Sequence, residues 1–297
     1  MNRYIICTIV LCTMLFIGCN DKKAENNTAK SEKTTTKTVQ KAAAAKMPEG
    51  TKTMKLSDGS EVTWIKDNPA EKLNPRELFP DASDTLWISL EMPEGLPATI
   101  STFLLKVGIE YILFDAGLGD MGGQMLRHLT ELGIKPADIH FVYLTHFHGD
   151  HIGGLISADK DGNVQKVFPN AAIYASRIEY ESWMTRMANN ELQKQIMALY
   201  QDQLHLFEFD ETLPHNVLAL DAAGHTPGHT AFRYENLLIV GDLMHGYVLQ
   251  KDHPEINSIY DMDKAKAALS RINMMDYAQK NNLIMAGMHL PEPGFVE

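Results

Sequence analysis

Short alternating runs of apolar and polar residues open the folding part of the chain. Residues 51–56 and 61–66 flank Ser57-Asp58-Gly59-Ser60, the pattern of two strands around a tight turn. Residues 99–107 and 111–114 carry the same strand signature, and the second ends in Asp115-Ala116-Gly117. A helical period over 124–132 stops at Gly133, which suits the left-handed residue that closes a helix. Further strands are predicted at 138–145, 171–175, 217–220, 231–234, 237–240 and 283–286, and helices at 177–187, 191–203 and 263–279. Residues 68–97 are rich in Pro, Asp and Glu, and a stretch that long with little regular structure reads as a functional lid. Its aromatics, Phe79 and Trp87, either close over a site or cap the core. Strands on both sides of the helices predict an α/β domain of two sheets with helices packed outside.

The first residues break this pattern. Arg3 precedes an apolar run over 4–17 that is short for a membrane span, and Asn20-Asp21-Lys22-Lys23 follow at once. Gly18-Cys19 resembles the lipobox of bacterial lipoproteins. That implies a signal peptide over 1–19, a lipidated Cys19, and an extracytoplasmic protein whose membrane contact is its N-terminal lipid. The alternative is an uncleaved N-terminal anchor. Residues 20–46 are Lys, Thr and Ala with few large apolar side chains, the composition of a flexible tether, which leaves 47–297 as the folded domain.

Composition narrows the chemistry. All three cysteines (Cys7, Cys12 and Cys19) lie in the leader, so the domain is expected to hold no disulfide and no thiolate metal ligand. The whole chain carries a net charge of −11; without Arg3 and the net +4 of residues 20–46, the part from Met47 onward carries −16. A domain that acidic repels phosphate backbones, which disfavours nucleic acid and leaves a small-molecule substrate.

The densest chemistry follows the strand at 138–145, in Thr145-His146-Phe147-His148-Gly149-Asp150-His151. Three histidines and an aspartate within six positions have no use in a turn or cap, but they suit a borderline cation such as zinc. Three later strands end in the same way. They lead into Gly224-His225-Thr226-Pro227-Gly228-His229, Gly241-Asp242 and Met288-His289. Taken singly, Asp242 reads as a cap and His289 as a structural histidine. Four strand ends that deliver ligand-type residues point to one shared site.

The ordered set T-H-F-H-G-D-H, A-G-H-T-P-G-H, V-G-D and G-M-H-L-P resembles the metallo-β-lactamase fold, an αββα sandwich of two mixed sheets with a two-metal site between them. The fuller order, with D-A-G, V-F-P-N-A, G-D-L-M-H and H-L-P-E-P-G, is similar to methyl parathion hydrolase and its lactonase relatives. That resemblance implies one metal on His146, His148 and His225, another on Asp150, His151 and His289, and Asp242 bridging. It places His229 behind the ligands, orienting their loop. The common zinc β-lactamases carry a cysteine where Asp242 stands, so that branch is disfavoured. The relatives continue with further strand sequence after the position of His289, where this sequence ends at Glu297.

Two divalent metal ions, most simply zinc, would share a hydroxide that attacks a small neutral ester, lactone or phosphotriester, with Asp150 steering it and carrying a proton to the leaving group. Trp183, Phe147, His245 and Tyr247 are the expected pocket walls. The competing readings are an iron-dependent redox or sulfur-oxidising member of the same fold and a metal-binding protein without turnover. The sequence leaves the oligomeric state open.

Overall fold

In the computed structural model, which describes residues 47–296, the first alternating runs pair as the expected hairpin, β1 (Thr51–Lys55) and β2 (Glu61–Lys66). The expected leader ending at Cys19 and the expected tether over 20–46 lie outside the described residues. Next, β3 (Lys72–Asn74) and β4 (Leu96–Ala98) pair antiparallel around α1 (Asp84–Leu90), which Ser83 caps by accepting from Leu86 N. The segment expected to have little regular structure therefore contains two strands and a helix. Its aromatics Phe79 and Trp87 are buried with Leu96, Leu249 and Ile256, so they cap a small core and do not close over the site.

The first sheet continues through β5 (Ser101–Val107) and β6 (Glu110–Phe114), then α2 (Met125–Glu131) and β7 (Ile139–Tyr143). After a short α3 (Gly149–Ile152), β8 (Ile156–Ala158) and β9 (Val164–Lys166) form a separate hairpin. The chain then runs through β10 (Ala172–Ser176), α4 (Arg177–Thr185), α5 (Glu191–Leu199) and β11 (Leu204–Phe207). Seven strands lie in the order β1-β2-β5-β6-β7-β10-β11, antiparallel up to β6 and parallel from β6 onward.

The second sheet holds β12 (Thr212–Leu213), β13 (Val217–Asp221), β14 (Thr230–Tyr234) and β15 (Leu237–Gly241). After α6 (Tyr247–Gln250) and α7 (Lys264–Lys280) it gains β16 (Ile284–Gly287), parallel to β15, and β17 (Phe295–Val296). Both sheets are mixed, as expected.

Side-chain alternation sets the layers. Along β5, Phe103 and Leu105 enter the space between the sheets, whereas Leu104 packs outward with Leu129 of α2 and Ile196 of α5. Along β15, Leu237 and Ile239 face inward, and Leu238 and Val240 meet Ala278 of α7 outside. Each fully buried aliphatic of this kind contributes about 1.5–3 kcal/mol. The result is a helix layer, two sheets and a second helix layer. Among the described residues no helix is long and apolar enough to cross a membrane.

This topology positions the site. β6 and β7 run parallel, and β13, β15 and β16 share one direction, because β13 and β15 are each antiparallel to β14. Residues that follow these strand ends gather at one edge of the sandwich.

Candidate metal centre

Among the described residues, four overlapping groups of ligand-type atoms meet there, two of them through His245, and the other two take in every expected ligand. His146, His148, His225 and Asp242 form one, and Asp150, His151 and His289 the other, each with its donor atoms within 4.8 Å of one another. His148 Nδ1 lies 3.0 Å from His146 Nε2 and 2.9 Å from His225 Nε2. Nitrogens this close on three rings suit a shared cation better than a chain of hydrogen bonds, because a neutral imidazole has only one N–H to give.

Asp242 stands between the groups. Its Oδ2 is 3.3 Å from His225 Nε2 and 3.7 Å from His146 Nε2 on one side, and 3.1 Å from His289 Nε2 on the other. Its Oδ1 is 3.0 Å from His151 Nε2. Asp150 completes the second group, with Oδ2 3.4 Å from His289 Nε2 and Oδ1 3.8 Å from His151 Nε2. Asp242 Oδ1 and His151 Nε2 are buried without a hydrogen-bond partner. Orphaned donor atoms of that kind are costly unless a cation takes them up, so the residues fit a divalent metal with nitrogen and oxygen ligands.

Outer partners fix the rings. His151 Nδ1 meets Asp115 Oδ2 at 2.7 Å, His225 Nδ1 meets Asp261 Oδ1 at 3.2 Å, and His289 Nδ1 donates to the Thr99 carbonyl at 2.7 Å. Each contact leaves Nε2 facing the centre, the usual way proteins orient metal-ligating histidines. Asp261 is itself held by the buried Arg271 guanidinium at 3.0 Å. His229 is different. Its Nδ1 donates to the Ala222 carbonyl at 2.9 Å, and its Nε2 accepts from Asp242 N at 3.0 Å. With both nitrogens used on backbone, the ring has no lone pair for a metal and instead positions Asp242. Gly241 makes that approach possible, since a Cβ there would sit 2.4 Å from His229 Nε2 and its φ is +52°.

Electrostatics follow the same division. Burial pushes His146 well below the ordinary imidazole range and His148 down to about 3. For His225, burial works downward, but Asp242 and Asp261 outweigh it and hold the ring up at about 9. Carboxylates raise His151 and His289 in the same sense. Burial alone would raise Asp242, yet His151, His289 and His146 hold it well below the usual carboxylate range.

A cavity of ≈ 350 Å³ opens onto both groups, with Lys72, Asn74, Ile100, His245 and Tyr260 among its walls. The pocket expected from Trp183, Phe147, His245 and Tyr247 thus keeps only His245, whose Nε2 is 3.2 Å from Asp242 Oδ2. Phe147 is fully buried in the outer core, since its backbone turns it away between the two histidines it separates. Trp183 sets its ring edge-on to His148 at 5.8 Å and gives its N–H to Glu179. Tyr247 lines another cavity beside α7.

Glu179 went unnoticed in the sequence. From α4 it accepts from Phe147 N (3.0 Å), Gly228 N (2.8 Å), Thr226 Oγ1 (2.9 Å) and Trp183 Nε1 (2.7 Å), tying together the two loops that carry His146, His148 and His225. Gly228 is required at this crossing, because a Cβ would fall 2.3 Å from Glu179 N. No local pattern marks Glu179 or Asp261. Asp115, by contrast, follows a strand end just as the ligands do.

Comparison with known proteins agrees with the geometry. Hydrolase AbOPH of the beta lactamase superfamily superposes with a TM-score of 0.73 at 27% identity, over 84% of this chain and 93% of that one. AidC, a dizinc quorum-quenching lactonase solved with the product N-hexanoyl-L-homoserine, superposes with a TM-score of 0.70 at 28% identity, over 83% and 92%. A probable metallo-hydrolase of Methanocaldococcus jannaschii is 25% identical over 172 residues, 57% of this chain and 68% of that protein. The family model for the metallo-beta-lactamase superfamily matches residues 96–277, which take in every candidate ligand but His289. With that match over most of the sandwich, the chain belongs to the metallo-beta-lactamase superfamily.

Proposed function

We propose that this protein is a dinuclear zinc hydrolase that cleaves a small ester, lactone or phosphotriester whose scissile group is itself uncharged. One observation carries the reading: the single buried carboxylate Asp242 faces both groups of histidines. On that reading His146, His148 and His225 hold one cation, Asp150, His151 and His289 the other, and Asp242 both. The nitrogen and oxygen donor set and the dizinc lactonase AidC support zinc. When bound, the cations supply a nucleophile near neutral pH and a Lewis acid for the developing oxyanion.

The chain's own residues do the rest. Asp115, Asp261 and the Thr99 carbonyl hold His151, His225 and His289 in one tautomer each, and His229 fixes Asp242. Asp150 has a side chain 27% exposed, the most open of the acids here, and the carboxylate oxygen not taken by a cation would carry the proton toward the leaving group.

Elemental analysis of the purified domain, paired with a panel of lactones, aryl esters and phosphotriesters, tests this. Close to two zincs per chain with turnover on any of these classes is the expected result. Iron without hydrolysis would overturn it in favour of redox chemistry. We also propose that a lipid on Cys19 tethers the protein outside the cytoplasm. Cys19→Ser should then move it to the soluble fraction, and continued membrane retention would contradict the lipid anchor.

A further inference from the structure

Among lysines and arginines, the cavity wall holds only Lys72. Lys72 and Asn74 lie two apart on β3 and so share a face of that strand, while Leu73 between them is 47% exposed on the other. Asn74 fixes which way the shared face looks, because its Nδ2 donates to the His245 carbonyl at 2.6 Å, three residues past Asp242. Lys72 follows on the same face about 7 Å along the strand and lines the same cavity. It is half-buried and takes part in no ion pair among the described residues. The other charged walls, Asp150 and Asp242, are engaged with histidines. In a domain of net charge −16, Lys72 is the one lysine or arginine in the wall of this cavity, and it has no carboxylate partner there.

We propose that Lys72 recognises an anionic substituent, a carboxylate or phosphate, remote from the scissile bond. The substrate class is therefore an ester or lactone whose reacting carbonyl is neutral but whose far end carries a negative charge. This rests on the hydrolase reading for its turnover arm and stands apart from it for binding. A lysine ammonium pairs as a point charge, so it selects for charge more than for shape.

The test compares the zinc-loaded protein on two aryl esters with the same scissile bond, one ending in a carboxylate and the other in the isosteric primary amide. The ratio of their kcat/KM values should favour the carboxylate by roughly threefold to tenfold, mostly through KM, and should shrink in high salt. Lys72→Met, which keeps the apolar stem, should bring the ratio to about one, and Lys72→Glu should invert it. A phosphate-ended ester in the same series separates the two anion sources. Non-hydrolysable amide analogues of the pair, titrated calorimetrically, read the same preference without turnover. If no ester is cleaved but the charged analogue binds tighter and Lys72→Met removes that preference, the hydrolase reading fails and the Lys72 assignment holds. An absent preference in the wild type, or one that survives Lys72→Met, overturns it.

Discussion

Asp242 and Glu179 are both buried carboxylates, 2% and 1% exposed, and they sit at the front and the back of the same two loops. Their surroundings differ in kind. Glu179 receives four N–H or O–H donors, one each from Phe147, Gly228, Thr226 and Trp183. Asp242 is ringed by imidazole nitrogens and keeps Oδ1 without a hydrogen-bond donor. A buried carboxylate whose lone pairs are filled by fixed donors acts as scaffold, whereas one ringed by histidine nitrogens that can exchange a proton for a metal is placed to share a cation. Burial raises the Glu179 carboxyl, against the pull of its four donors. At Asp242 the surrounding histidines win over burial.

The largest effect should come from the front. Asp242→Ala is expected to abolish turnover by more than about a hundredfold, since loss of even a partner behind a metal ligand costs about 10- to 100-fold. Its fold should survive, checked by circular dichroism, because the variant removes a charge and leaves the sheets intact.

At the back the balance reverses. Glu179→Ala leaves four buried donors unpaired and should cost about 3 kcal/mol or more of stability in denaturant unfolding. Glu179→Gln keeps the shape but sets an amide N–H against other donors, and should fall between wild type and Glu179→Ala.

Asp261→Asn probes the ground between the two. It should weaken zinc about 10- to 100-fold in chelator competition while changing stability less than Glu179→Ala, because Asp261 bonds a ligand, His225, from behind.

The titration of the front has a definite sign. Without cations, His225 is held at about 9 and neighbouring carboxylates raise His151 and His289 against burial, so protons compete with zinc for these nitrogens. Loading must expel those protons, so zinc affinity should rise with pH through the neutral range. Calorimetry of the cation-free protein in buffers of different ionisation enthalpy should show net proton release. The smallest change is Trp183→Phe, which removes one of the four donors to Glu179 and should cost about 1 kcal/mol.

The sequence carried the front far better than the back. His146 to His151, His225, Asp242 and His289 each follow a strand end, so a one-dimensional pattern of apolar run then ligand points to one shared site, although the roles of Asp242 and His289 within it come only with the family resemblance. Glu179 sits inside a helix 32 residues after Phe147 and 49 before Gly228, and no periodicity links such positions. The cavity walls were hard for the same reason. Lys72 and Asn74 enter from β3, and Tyr260 lies in the loop before α7, so their meeting depends on packing. Among the elements, the long alternating strands were legible to within a residue or two. The brief β11 and the β8–β9 hairpin were not, because runs of three or four residues carry too little pattern. In the 68–97 segment, a Pro- and acid-rich composition concealed a capped helix and a strand pair.

The central claim is that Asp242 joins two cation sites into one centre, and it can be measured directly. Zinc per chain, determined by elemental analysis on wild type and Asp242→Ala purified side by side, should be close to two for the former and fall toward zero for the latter. A variant that still holds two zincs would contradict the bridging role of Asp242.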